Sequence, residues 1–93
     1  MALTAEVGTI AVTAGNKNVT FTADVAVKDE NGIVVAEKSD TYHGPDGPAL
    51  QANAQTHFVK TATDMLANAN ADRAAATKYA GLRAAIKTAL EVQ

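Results

Sequence analysis

Ser39, His43 and His57 are the chain's only serine and its two histidines, so hydrolytic or acid–base chemistry would have to be assembled around them. Asp40 follows Ser39 directly. However, a catalytic serine is presented on a sharp turn such as G-x-S-x-G, whereas Ser39 sits in Lys38-Ser39-Asp40, a polar strand end. Carboxylate pairs work as acid and base only where an apolar setting raises one pKa, and none of the ten acids has such a setting in the sequence. The expectation is a protein without catalytic residues, not an enzyme.

Metal binding needs three or four converging ligands. His43 has Asp40 and Asp46 near it in sequence, but neither histidine opens an H-x-x-x-H or H-x-x-E spacing, and there is no cysteine. The absence of cysteine also removes disulfides and thiol catalysis. No metal and no cofactor are expected. The alternative is a small-ligand or metal-binding domain that uses the loop at His43–Asp46. Gly44-Pro45-Asp46-Gly47-Pro48 is glycine-rich like a phosphate cradle, but proline has no N–H to give a phosphate. It reads instead as a rigid corner. Asp29-Glu30-Asn31-Gly32 resembles part of a calcium loop without its ligand spacing, and is read as a hairpin turn. Asn18-Val19-Thr20 matches a glycosylation sequon and is read as a chance triplet.

The elements that must position these residues fall into two unlike halves. Residues 1–48 contain seven Val and six Thr and carry seven acids against three lysines, a net −4. Residues 49–93 contain 14 of the 21 alanines and carry three acids against five bases, a net +2. Val and Thr favour strands and Ala favours helix. Strands followed by helices imply an α+β fold in one domain covering residues 1–93. The expected architecture is a three-stranded antiparallel meander followed by two α-helices packed on one of its faces.

Val19–Lys28 is the clearest strand: Val19, Phe21, Ala23, Val25 and Val27 alternate with more polar neighbours, so odd positions should face the core. Before it, Glu6–Thr13 is a weaker strand whose apolar parity changes at Gly8, where a bulge or bend is expected. Hairpin turns are expected at Gly15-Asn16-Lys17-Asn18 and at Asp29–Gly32. The third strand, about Ile33–Tyr42, should start buried and end at an edge guarded by Glu37, Lys38 and Asp40. Pro48 suits a first helical turn, with Asp46 or Gly47 as N-cap. Leu50, Ala54, Phe58, Thr61, Ala62, Met65 and Ala69 then form one stripe. Asn68, Asn70 and Asp72 favour a break near residues 68–72, with one bent helix as the alternative. The last helix, about Arg73–Glu91, should bury Ala75, Tyr79, Leu82, Ile86, Ala89 and Leu90.

Opposite that stripe, a helical projection places Ala74, Gly81 and Ala85 together. A solvated face would normally carry longer polar residues, and small ones let another helix approach closely. Only 23 of the 44 residues in the apolar class are larger than Ala, a thin core of the kind that often leans on oligomerisation. These features, with the opposite charges of the two halves, predict a self-associating structural or interaction protein. A homodimer is favoured, and another protein partner is possible. Arg83 and Lys87, four apart, would join Ala74, Gly81 and Ala85 in that contact.

Net charge −2, pI ≈ 5.5 and the lack of recognition spacing among Arg73, Arg83 and Lys87 of the last helix argue against nucleic acid. No apolar run suits a membrane span, and Met-Ala-Leu-Thr-Ala-Glu has neither the basic nor the apolar region of a signal peptide. A cytoplasmic or virion-associated location is expected. In composition, cysteine-free and rich in Ala, Thr and Val, the chain is similar to small phage or bacterial assembly proteins, which would imply a part in assembly.

Overall fold

A computed structural model describes residues 2–91. Alternation along the central strand organises everything else. Strand β3 (Asn18–Lys28) buries Ala23, Val25 and Val27 on one face and leaves Asp24 exposed on the other, as its odd-parity pattern predicts. Strand β4 (Val34–Pro45) pairs with it antiparallel over its whole length. The opposite edge of β3 is shared by two short strands laid end to end. Strand β1 (Thr4–Val7) pairs with Val25–Lys28, and β2 (Ala11–Gly15) pairs with Asn18–Thr22. The sheet is thus four-stranded rather than three-stranded. The expected bend at Gly8 goes as far as splitting one strand in two, while the Gly8 amide still donates to the Asp24 carbonyl at 2.9 Å.

Both turns form as expected. Asn16 and Lys17 take φ of 53° and 64°, the left-handed pair that a two-residue hairpin matched to sheet twist requires. In the second turn Gly32 takes φ 79°, and Asp29 Oδ1 accepts from the amides of Asn31 (2.9 Å) and Ile33 (3.0 Å). The third predicted strand is corrected at both ends. It runs on to Pro45, and its burial is the reverse of expectation: apolar Ile33, Val34 and Val35 are exposed, while Asp40 in the polar half is buried. The helix crosses β4, β3 and β1 on a line that leaves the apolar start of β4 uncovered.

Helix α1 (Leu50–Lys78) starts after Ala49, without a side-chain cap, so neither Asp46 nor Gly47 plays that part. Its stripe is laid down as predicted. Leu50, Ala54 and Phe58 are buried, and Thr61, Ala62, Met65 and Ala69 are half-buried against the sheet. The expected break at residues 68–72 is absent. The asparagines there alternate with alanines, no Gly or Pro interrupts, and the helix tolerates them. The bend comes at Tyr79–Gly81, where amides bond three residues back (Ala80 to Thr77, Leu82 to Tyr79) before α2 (Leu82–Glu91) resumes. The second helix continues the first as one long bent helix and does not fold back.

That continuation overturns the expected packing of the last helix. Tyr79, Leu82, Ile86 and Leu90 are 61%, 57%, 51% and 66% exposed, and among the described residues α2 packs against no other element. The stripe read as core is bare, because a helix continuing α1 moves away from the sheet. The molecule measures 71 × 24 × 17 Å, with a radius of gyration of 20.0 Å. A compact chain of this length would have about 12 Å.

Candidate functional site

Two places stand out: a polar cluster beneath α1, and an apolar groove beside it. The cluster arises because β4 parity follows β3. Ala23 stands opposite Asp40 and Phe21 opposite Tyr42, so Asp40 and Tyr42 point to the helix side. Thr61, which occupies an apolar position in the α1 stripe, donates its hydroxyl to Asp40 Oδ2 at 2.7 Å. The Thr41 amide donates to Oδ1 at 3.0 Å. His57 Nε2 lies 3.0 Å from Oδ2 at ion-pair distance, without the alignment of a hydrogen bond. The His57 ring sits between Tyr42, at 5.0 Å, and Phe58, edge-on at 5.4 Å.

Burial pulls the Asp40 carboxyl upward. The Thr61 hydroxyl, the contact with His57 and the Thr41 amide together outweigh that effect and hold it below the usual Asp value. The result is a carboxylate anchored between sheet and helix. A catalytic dyad would need a substrate-facing nucleophile, and Ser39 stands opposite Asp24 on the other face of the sheet.

His43 also points to that outer face, opposite Thr20, whereas Asp40 points inward. Asp46 lies at the rim of the apolar groove. The His43–Asp46 loop therefore does not bring its polar groups together, and among the described residues no three His, Asp or Glu side chains group as metal ligands would. The sequence signal for the cluster that does form was the even-numbered series Ala36, Asp40, Tyr42 facing a helix stripe that contains Thr61. Read locally, Asp40 is an edge-guarding charge, and only its register with Ala23 turns it inward.

The groove, of about 760 Å³, lies between β2 and the first turns of α1. Its floor is Val12, Val19 and Phe21, and its walls include Ile10, Phe58 and Val59. It exists because α1 leans over β4, β3 and β1 but not β2. Val12 is 61% exposed as a result. A smaller cavity of about 460 Å³ lies farther along α1, beside Met65 and Arg73. There Arg73 makes a two-pronged ion pair with Glu30, tying the β3–β4 turn to the helix. The Arg73 guanidinium holds the Glu30 carboxyl below its ordinary range.

The predicted contact residues Ala74, Ala85, Arg83 and Lys87 are exposed on the distal helical segment. Gly81 lies in the bend, so Ala74 and Ala85 do not share one unbroken helix. Both the small-residue face and the larger apolar stripe of α2 are open. No protein-family model matches the chain, and no curated protein or solved structure is significantly similar to it.

Proposed function

We propose that the protein is a non-catalytic, self-associating structural module and that its distal helix is the docking element. One observation carries this reading: Leu82, Ile86 and Leu90 form an apolar stripe on α2, with Tyr79 exposed in the bend before it, and among the described residues α2 packs against no other element of its own chain. Single exposed apolar side chains are ordinary, but a continuous helical stripe of large ones marks a surface that is covered in the working state. A second copy is the favoured cover. The strand half carries −4 and the helix half +2, so two copies can place unlike charges side by side, which sets orientation more than affinity. The small-residue positions Ala74, Gly81 and Ala85 and the cations Arg83 and Lys87 belong to the same segment. They would border the contact rather than form its centre, because the apolar stripe offers more surface to bury. A role within an assembly, such as a phage or bacterial particle, fits an elongated module of this kind.

Light scattering on the full chain at ~100 μM tests the reading. A mass of at least two copies is expected, falling to that of one chain for Ile86→Lys. A monomer of 9.6 kDa, unchanged by Ile86→Lys, overturns it.

A further inference from the structure

We infer that the apolar groove between β2 and α1 is the receptor for α2 of a second copy, so that two chains exchange their distal helices. This rests on the self-association proposed above and names the surface that receives the helix. The sheet is covered over β4, β3 and β1 and open over β2, which leaves room for one more helix on that face. The sequence pattern calls for a second helix on this sheet, and the chain's own second helix projects away from it. The unfilled place and the uncovered helix are complementary halves of one contact.

Spacing and charge support the match. The groove wall on α1 is set by Gln51, Gln55 and Val59, and the α2 stripe by Leu82, Ile86 and Leu90, both at four-residue steps. On α2, Arg83 and Lys87 border one side of the stripe, and Asp46 stands at the rim of the groove. Length also fits. At ~1.5 Å per residue the path from Leu50 to Glu91 is about 60 Å, with the groove beside its first third and α2 at its end. Two copies laid antiparallel place each α2 in the other's groove and close the pair by two-fold symmetry. Their helices then cross near the 67–76 stretch, where six of the ten residues are Ala.

The absence of cysteine makes a cross-linking test clean. Copies carrying Val12→Cys are mixed with copies carrying Leu90→Cys and oxidised, with Asn31→Cys on the far hairpin as the control partner for Leu90→Cys. The mixed 12–90 product is expected to exceed the 31–90 product at least tenfold, and Leu90→Cys alone should give little dimer. Val59→Glu, an exposed helical position on the groove wall, should abolish the 12–90 product while leaving the circular dichroism of the folded chain unchanged. If the sample has the mass of a dimer but 12–90 product is missing, or Leu90→Cys links to itself instead, the groove assignment falls and self-association stands. A wild-type chain that is monomeric at ~100 μM removes both.

Discussion

Leu50, Ala54 and Phe58 recur every four residues at the start of the helical path, and Leu82, Ile86 and Leu90 recur at the same step near its end. The first three are buried under the sheet, and the last three are more than half exposed. Side-chain pattern alone does not separate them, since both segments read as core-facing stripes. What separates them is reach. The sheet extends beneath α1 only as far as the Glu30–Arg73 tie, and the helix outruns it. An amphipathic stripe states that something will cover it, and the length of the partner element decides whether that cover lies in the same chain.

The sharpest way to break the comparison is to truncate one residue from each end. Phe58, 4% exposed, anchors the cluster with Ala23 and Val25. Phe58→Ala should cost about 3–5 kcal/mol and leave a domain this small largely unfolded. Leu82→Ala, measured by urea denaturation at concentrations low enough to keep the chain monomeric, should shift stability by less than about 0.5 kcal/mol. At concentrations where copies associate, the Leu82→Ala effect should grow with concentration, because an interface is then being lost. A large, concentration-independent effect of Leu82→Ala would mean that α2 packs on its own sheet.

A second difference between the ends is polar. The proximal core contains a carboxylate, Asp40, bonded by Thr61 and the Thr41 amide, and the distal segment has no buried polar group among its described residues. Asp40→Ala should cost about 1–3 kcal/mol, since it strands donors that the carboxylate satisfied. The pH dependence follows from its lowered pKa. A depressed carboxylate contributes stability fully above the unfolded value of about 3.9, and that contribution disappears as pH falls through the folded value. Thermal melts of the wild type should therefore drop in temperature below about pH 4, and those of Asp40→Ala should drop less. Parallel curves for the two would detach the acid response from Asp40.

The fold was legible in the sequence where the signal was local. The β3 parity, both hairpin turns, the Gly8 interruption and the Leu50–Ala69 stripe follow from alternation, glycine placement and helical spacing, all of which act over a few residues. What depended on distance was not legible. Asp40 carries the same charge whether it guards an edge or turns inward, and only the register Ala23–Asp40 decides. Asn68, Asn70 and Asp72 predict a bend that the structure places at Tyr79–Gly81 instead, because propensity differences of a few tenths of a kcal/mol cannot outweigh a continuous hydrogen-bond ladder. For the site, the sequence offered His43 and Asp46, which the strand turns apart. It did not show the groove, which exists only because α1 crosses the sheet off-centre.

The smallest effect probes the join between the two ends. Read as a residue inside a continuous helix, Gly81 would gain up to about 1 kcal/mol on replacement by Ala. In the bend its carbonyl accepts the first bond of α2 from the Ala85 amide at 3.0 Å, which makes it the capping residue, and a side chain there meets open space. At that position Ser outranks Gly by a few tenths of a kcal/mol and Ala falls below both. Gly81→Ser should thus raise the helical circular dichroism slightly, and Gly81→Ala should lower it or leave it unchanged. Neither should move the urea midpoint of the monomer, because the distal helix contributes nothing to the core at Phe58. If Gly81→Ala instead raises helicity, the helix runs through the bend unbroken in solution. The distal stripe would then keep the phase of α1, and Ala74 and Ala85 would lie on one face after all.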